Sequence, residues 1–596
     1  MKIYWTLIST LVMLLCSGSR LIAQENPTDS TYVFVNVQLI PMNQAGSIPG
    51  QTVLVHNQRI QAIGPKGEVI LPPNTVIIDG TGLYLLPGLT DAHVHLDDKI
   101  GARADFGDAP LFLASGITTV LNLRGEPVHL QWKKAITEGN LLAPNLYTSS
   151  EFVNEPRIQT IQEAEAEVER HLREGYDLIK FREVIDFETH RQLTTTGMPQ
   201  AAYLHLNEKA RHMHLPLVGH APYRVGLPGM LQAGQSLAHL NELSNLYFLP
   251  PLDFSQGIFM HLGKYTLVLL IVLAFLWGLG KTLGLALPDQ NGFKILNSYK
   301  SSTLAMFLVL LAPLIALLWI LVVPPGLAFG SITLLLALSL LGLCFLLLVI
   351  LFFIRSIEII KNVSGYTLSK TLMTLILLTA LGYSVALVYW IPFAWRGSDM
   401  VMSAVARKCK ESGLWVQSTL ICQEIYLANK EGYRSYEIAH HPNLLYLPKH
   451  LQDRWIGFAH WKRPITTQLW QRHGEFNQRL LAALYREGVP IMAGTDALGV
   501  PLNIPGISLH MEMQLLQECG LSNAEILWTA TGAAARFMGQ ENEFGTISVG
   551  KRADLLLVDG NPLENLTCLQ KPKGVMVRGK WLPRERLEHM LNSLAQ

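Results

Sequence analysis

Apolar and polar positions alternate in short runs over residues 31–86, as TYVFVNVQLI, QTVLVHNQRIQAIG and TVIIDGTGLYLLPG, with Gly and Pro between them. Period-two alternation bounded by turn residues predicts short β-strands. The last part of the chain has the same texture, in GTISVGKRADLLLVDG and GVMVRGKWL. Two distant sets of similar strands predict one small β-sandwich built from both chain ends, 31–86 and 546–590. Between them the pattern alternates strand with helix, as in LFLASGITTVLNLRG, AEAEVERHLREGYDLIKF, LNEKARHMHLPLVGHA and MLQAGQSLAHL. It resumes in ARKCKESGLWVQSTL and LLAALYREGVPIMAGTDA. Repeated strand–helix units predict a parallel sheet with crossover helices, and enough of them are present for a (β/α)8 TIM-like barrel in two parts, 87–256 and 396–545.

The alternation breaks over 257–395. Four apolar runs, 265–280, 303–323, 327–354 and 371–394, contain no Asp, Glu, Lys, Arg or His. A bilayer core of ~30 Å needs ~20 apolar residues in a helix. The expectation is therefore a four-helix transmembrane bundle inserted between the sixth and seventh barrel units. Lys281, Lys294 and Lys300 follow the first run, and Arg355, Lys361 and Lys370 follow the third. Positive loops face the cytoplasm. This predicts a multi-pass membrane protein whose catalytic domain lies on the periplasmic or extracytoplasmic side. The first 23 residues, with Lys2 ahead of an apolar stretch, read as a signal peptide and give the same orientation.

Composition changes this picture little. The 596 residues allow two or three domains, and charged residues are 16% of the chain, below the roughly 25% of soluble domains. With 47 basic and 46 acidic residues, no positive excess exists to neutralise nucleic-acid phosphates. The six cysteines include no CxxC pair, so a zinc knuckle is not expected, and any disulfide pairing stays open.

The candidate chemistry lies at strand ends. His93 and His95 are two apart at the end of an apolar strand, where side chains share a face and can converge on one metal ion. Lys180 ends Asp177-Leu-Ile-Lys, His220 ends Leu217-Val-Gly-His, His239 ends Ser236-Leu-Ala-His, and Asp496 ends Ile491-Met-Ala-Gly-Thr-Asp. Active sites of such barrels are built at these C-terminal strand ends. Tyr223 and Arg224, close behind His220, are candidates to bind a substrate carboxylate. Arg182, Asn241 and Thr419 are weaker candidates near other strand ends, and His440, His441 and His460 read as loop histidines.

On these motifs the chain resembles the amidohydrolase superfamily. PGLTDAHVHL looks like its first-strand metal motif, and GITTVLNLRG and GNLLAPNLYTSS like its next two strands. GTDA matches its eighth-strand aspartate, and GLSNAEILWTATGAAARFMG with GTISVGKRADLLLVDGNPL its closing helix and return to the β-sandwich. The resemblance spans roughly 31–250 and 396–582, and the insertion departs from the family pattern. DLIK, VGHAP and AGQSLAHL bring it nearest to imidazolonepropionase-related and prolidase-like members. It implies two divalent metal ions, zinc by the preference of imidazole and carboxylate ligands. His93, His95 and Asp496 would hold one ion, and His220 and His239 the other, with carbamylated Lys180 bridging. An unmodified Lys180 would leave a mononuclear site. The implied function is hydrolysis of the C–N bond of a small-molecule amide by metal-activated hydroxide, with Asp496 as the catalytic proton carrier. Dipeptides handled in a prolidase-like way, or a lipid-derived amide brought by the bilayer, are alternatives. A transport or sensing protein with a non-catalytic barrel is the reading of a different class. Uncharged spans and a full set of metal positions argue against it. Substrate and oligomeric state are not legible.

Overall fold

The computed structural model describes residues 31–96, 104–154, 156–183, 185–186, 192–193, 197–248, 396–422, 440–459 and 464–595. Eight parallel strands form its centre: Leu89–Val94, Ile117–Asn122, Asn145–Thr148, Ile179–Phe181, Leu217–Gly219, Ser236–Ala238, Val416–Gln417 and Ile491–Met492. The first three pair in one sheet and the other five in a second. Bridges between Val153 and Phe181, and between Val94 and Ala497, join the two sheets into a closed ring. The joins are backbone hydrogen bonds: Val153 N to the Lys180 carbonyl at 2.8 Å, and Ala92 N to the Ala493 carbonyl at 3.0 Å. The sixth and seventh strands are neighbours in space, Leu237 opposite Val416, although residues 249–395 separate them along the chain.

Local sequence explains why each strand is reached in register. The helix Ile161–Glu174 starts where the Thr160 hydroxyl accepts from Glu163 N and the Glu163 carboxylate accepts from Thr160 N. This reciprocal cap satisfies two donors that the first turn leaves unpaired. Ala164, Glu167, Val168 and His171 form its buried stripe. Gly175, at φ 86°, ends it in the left-handed conformation that only glycine adopts cheaply. The chain turns there into Ile179–Phe181, which carries Lys180.

Strands from both chain ends form one eight-stranded hydrogen-bonded sheet. Its path runs Lys580–Pro583, Gly574–Val577, Leu555–Val558, Tyr84–Pro87, Tyr32–Leu39, Ile48–His56 and Arg59–Pro65, with Val76–Asp79 beside Tyr32–Leu39. Phe34, Val37, Leu39, Val53, Leu85, Leu555, Leu557 and Met576 pack as its core. Asp554 joins this sheet to the ring. Its carboxylate accepts from Asn145 Nδ2 at 2.9 Å, next to the third barrel strand's start, and from Arg578 N at 2.8 Å.

The expected membrane location is corrected here. No helix among the described residues is long and apolar enough to cross a membrane. The long helix Pro464–Arg486 is interrupted by Glu475, Arg479 and Arg486. The four apolar runs of 257–395 and the expected signal peptide of 1–23 lie outside the described residues. The bilayer as a partner, which rested on those runs, and the extracytoplasmic placement, which rested on the basic residues between them and on the signal peptide, are set aside with it. Cys409, Cys422, Cys519 and Cys568 are free thiols.

One buried contact ties the ring to the helix behind it. His510, on Ile507–Glu518, meets the Ser115 carbonyl through Nε2 at 2.9 Å. Burial pushes its imidazole down to about 4 from an ordinary 6.5, against a smaller opposing effect of that carbonyl. A histidine depressed on folding contributes stability above its unfolded pKa and loses it as pH falls through the folded one. Stability should therefore drop by on the order of 3 kcal/mol between about pH 6.5 and 4 from this group alone. Urea unfolding of the protein and of His510→Gln across that window checks it, and the variant should lack this share of the slope.

Candidate metal centre

The first strand is buried along its whole length, so its ends are fixed by packing before any chemistry is considered. His93 is fully buried and His95 nearly so. Past the eighth strand the chain continues alongside the first. Asp496 N donates to the His93 carbonyl at 2.7 Å, and His95 N to the Ala497 carbonyl at 3.0 Å. Asp91 locks this alignment. Its carboxylate accepts from Thr495 Oγ1 at 2.7 Å, Thr495 N at 3.1 Å and His93 N at 3.2 Å.

Asp496 then sits at φ 58° and His239 at φ 70°, a region disfavoured for residues with a Cβ. Such strain persists only where the surroundings hold it, and it collects at functional sites. Glycine makes room for it. A Cβ on Gly499 would lie 2.5 Å from both Asp496 Oδ1 and His95 Cδ2, so only glycine permits that approach.

The six side chains expected from the sequence form one continuous cluster. Asp496 Oδ1 lies 2.7 Å from His95 Nε2 and 3.4 Å from His93 Nε2, and Asp496 Oδ2 lies 4.0 Å from His239 Nε2. Lys180 Nζ is 3.4 Å from His93 Nε2. The His239 ring is 4.4 Å from that of His93 and 5.1 Å from that of His220, between centroids. Thr419 Oγ1 meets His239 Nδ1 at 2.9 Å, and the Glu183 carbonyl meets His220 Nδ1 at 3.1 Å. These bonds orient the rings, as outer partners do for metal-binding imidazoles.

Charge states follow from burial. Desolvation, reinforced by Lys180, holds His93 and His220 well below the ordinary imidazole range. His239 is driven to about 3 by burial, with Asp496 opposing and Lys180 adding. Burial lowers Lys180 to about 7 against the pull of Asp496. Burial alone would raise Asp496, but His95, His239 and Lys180 outweigh it and hold the carboxyl at about 2. Neutral imidazoles around an ionised carboxylate are the forms that bind a divalent ion.

The residues fit such an ion. His93, His95 and Asp496 each offer a donor atom, all within 4.8 Å of one another. Asp496 Oδ1 faces Nε2 of both His93 and His95 in a buried space, so these three donor atoms converge on one place, and a buried carboxylate is costly unless it is paired. A second donor group combines His239, Cys422 and Asp496.

Tyr223 and Arg224 stand beside the cluster and are engaged by the protein. Tyr223 donates its hydroxyl to Glu242 at 3.0 Å, and Arg224 Nη1 donates to the Gly197 carbonyl at 2.7 Å. Asp91, Glu242 and Cys422 are site residues that the sequence reading missed. Burial raises Glu242 to about 7, and its carboxylate accepts from Ala221 N at 3.0 Å, 3.9 Å from His220 Nδ1. Cys422 Sγ lies 3.9 Å from Asp496 Oδ2, beyond the seventh strand. The only sequence signal for these three was their position within a few residues of a strand end.

The amidohydrolase family model matches residues 475–582. An adenine deaminase of Rubrobacter xylanophilus is 33% identical over 104 residues, which are 16% of this chain and 17% of the deaminase. The chain thus matches about a sixth of the length of that curated relative. Among solved structures, bottromycin amidohydrolase has a TM-score of 0.56 at 19% identity, covering 97% of this chain and 94% of its own. A Xaa-Pro dipeptidase with bound methionine in the active site has a TM-score of 0.51 at 15% identity, covering 93% of this chain and 100% of its own. At those identities the structures show the fold alone. The sequence match to the amidohydrolase family is confined to residues 475–582, and the solved structures add a likeness of fold.

A methyl group on Gly499 would wedge His95 from Asp496. Gly499→Ala should lower divalent-metal affinity by about 10- to 100-fold, as loss of a supporting contact does, while the fold is retained. Competition with a chromophoric chelator measures it.

Proposed function

We propose that this chain, as an amidohydrolase-superfamily protein, is a metal-dependent hydrolase that cleaves the C–N bond of a small-molecule amide. The observation that carries this reading is the meeting of His93, His95, Lys180, His220, His239 and Asp496 at one end of a closed ring. His93, His95 and Asp496 would hold one divalent ion. His220 and His239 would hold a second, with Lys180 bridging once carbamylation has turned its cation into an anion. Cys422 lies close enough to His239 and Asp496 to compete for that second position. Imidazole and carboxylate donors suit zinc.

When bound, the ions supply Lewis acidity to the scissile carbonyl and make water easier to ionise. The chain's own residues do the rest. Asp496, ionised and held between two strand ends, accepts the proton released by the attacking water and returns it to the departing nitrogen. Water adds across the C–N bond, and the products are a carboxylic acid and an amine. Thr419 and the Glu183 carbonyl keep His239 and His220 from rotating during the cycle.

The stretch shared with adenine deaminase favours a second reading, removal of an exocyclic amine from a heteroaromatic ring with release of ammonia. Metal analysis of the purified protein and a screen of dipeptides, N-acyl amino acids, lactams, imidazolones and adenine separate the two. Chelation should abolish turnover and zinc restore it, and an active protein free of divalent metal would overturn both readings. Asp496→Asn should lower kcat by about 10²- to 10⁴-fold with metal still present. Near-normal turnover of that variant with metal bound would remove Asp496 from proton transfer.

A further inference from the structure

Asp496 meets the imidazoles of the first metal position through Oδ1 and presents Oδ2 to a different pair of side chains. His239 Nε2 is 4.0 Å from Oδ2, and Cys422 Sγ is 3.9 Å from it. One donor atom from each of His239, Cys422 and Asp496 lies within 4.8 Å of the others, and all three residues are buried. Tetrahedral zinc, with bonds of about 2.0–2.3 Å, holds its donors roughly 3.3–3.6 Å apart. The observed separations are slightly wider, so small side-chain rotations close the group on an ion.

We propose that His239, Cys422 and Asp496 Oδ2 form a thiolate site for a divalent ion that fills without carbamylation of Lys180, with Asp496 joining it to the first position through its two oxygens. This rests on the reading of His93, His95 and Asp496 as metal ligands, and it changes what holds the second ion.

The turn after the seventh strand delivers two parts of the site at once. Thr419 Oγ1 meets His239 Nδ1 at 2.9 Å, which turns Nε2 toward Asp496. Three residues on, Cys422 N donates to the Thr419 carbonyl at 3.1 Å and sets the position of the sulfur. Thr419 is held at φ 40°, and the turn is clamped from behind by Glu512. That fully buried carboxylate accepts from Leu420 N at 3.0 Å, from Ile421 N at 2.7 Å and from the Ser418 hydroxyl. The sulfur has an outer partner of its own, since Asn503 Nδ2 donates to it at 3.5 Å. Such N–H donors orient a ligand atom and support its metal-bound form. The sulfur also lies 3.4 Å from the Thr495 carbonyl.

Charge separates this site from the His220–His239 pair. Binding an ion converts the thiol to a thiolate and releases its proton to solvent. The ion then meets two anionic donors and one imidazole, a set that suits zinc and other thiophilic ions. Without a carbamate, His220 and His239 offer two neutral donors and no anion. Lys180 contributes no atom to the thiolate site, and its Nζ lies 3.4 Å from His93 Nε2.

The test uses the full chain, stripped of metal and reloaded in buffer freed of carbon dioxide. Wild type, Cys422→Ser and Cys422→Ala are titrated with Co(II), with Cys519→Ser as a thiol control. Wild type and Cys519→Ser should develop the near-ultraviolet thiolate-to-cobalt charge-transfer band. Both Cys422 variants should lose that band and the second equivalent of cobalt while keeping the first. Zinc X-ray absorption of the wild type, which needs no variant to fold, should show a sulfur neighbour at about 2.3 Å. No sulfur neighbour in the wild type, or a charge-transfer band that persists in Cys422→Ser, overturns the thiolate site. A second equivalent that binds only after bicarbonate is added, without sulfur, overturns it too and leaves the hydrolase reading standing. Sulfur ligation in a protein that hydrolyses no amide would keep the thiolate site and remove the hydrolase reading.

Discussion

The structure turns on the place where the ring of parallel strands closes. There the continuation of the eighth strand lies along the first, held by backbone bonds from Ala92, His95 and Asp496. Asp91 ties the two through Thr495. Because side chains alternate across a strand, a shift of one residue would turn His93, His95 and Asp496 to opposite sides. The Asp91–Thr495 bonds resist that shift from beneath the site. Gln417 reaches across the barrel interior to the Ala92 carbonyl at 2.6 Å and braces the same strand from within.

Closure also sets the electrostatics. Packing a lysine, four imidazoles and a carboxylate into a buried volume is unfavourable for every charged form. His93, His220 and His239 respond by staying neutral, and Asp496 stays ionised with Lys180 among the groups that hold it so. What results is an array of lone pairs around a single anion. Backbone strain at His239 and Asp496 belongs to the same balance, since turning both residues inward requires dihedral angles that an ordinary strand avoids.

Much of this was legible in the sequence, for identifiable reasons. His93, His95, Lys180, His220, His239 and Asp496 each end an apolar run, and a parallel barrel gathers such ends without further information. The strands of 31–86 and those near the C-terminus carry matching alternation, and they are partners in one sheet. Asp91 was not legible, because its partner is 404 positions away and two residues before a histidine pair is an unremarkable place for an acid. Cys422 read as one cysteine among six, since its closeness to Asp496 depends on the adjacency of the seventh and eighth strands. Membrane location was inferred from apolar runs alone, and no helix among the described residues supplies a span.

The long separation between the sixth and seventh strands has a consequence for synthesis. A chain emerging from the ribosome at roughly 5–20 residues per second produces five of the six cluster residues before the 249–395 segment and Asp496 well after it. Bringing together strands far apart in sequence costs little more than bringing together nearer ones, since the entropy grows only with the logarithm of the separation. Time rather than energy is what the interruption imposes. Until the last barrel strand arrives, the first strand has an unpaired edge and His95 faces no carboxylate. The grouping of His93 and His95 with Asp496 is thus acquired in a single late step, together with the completion of the fold.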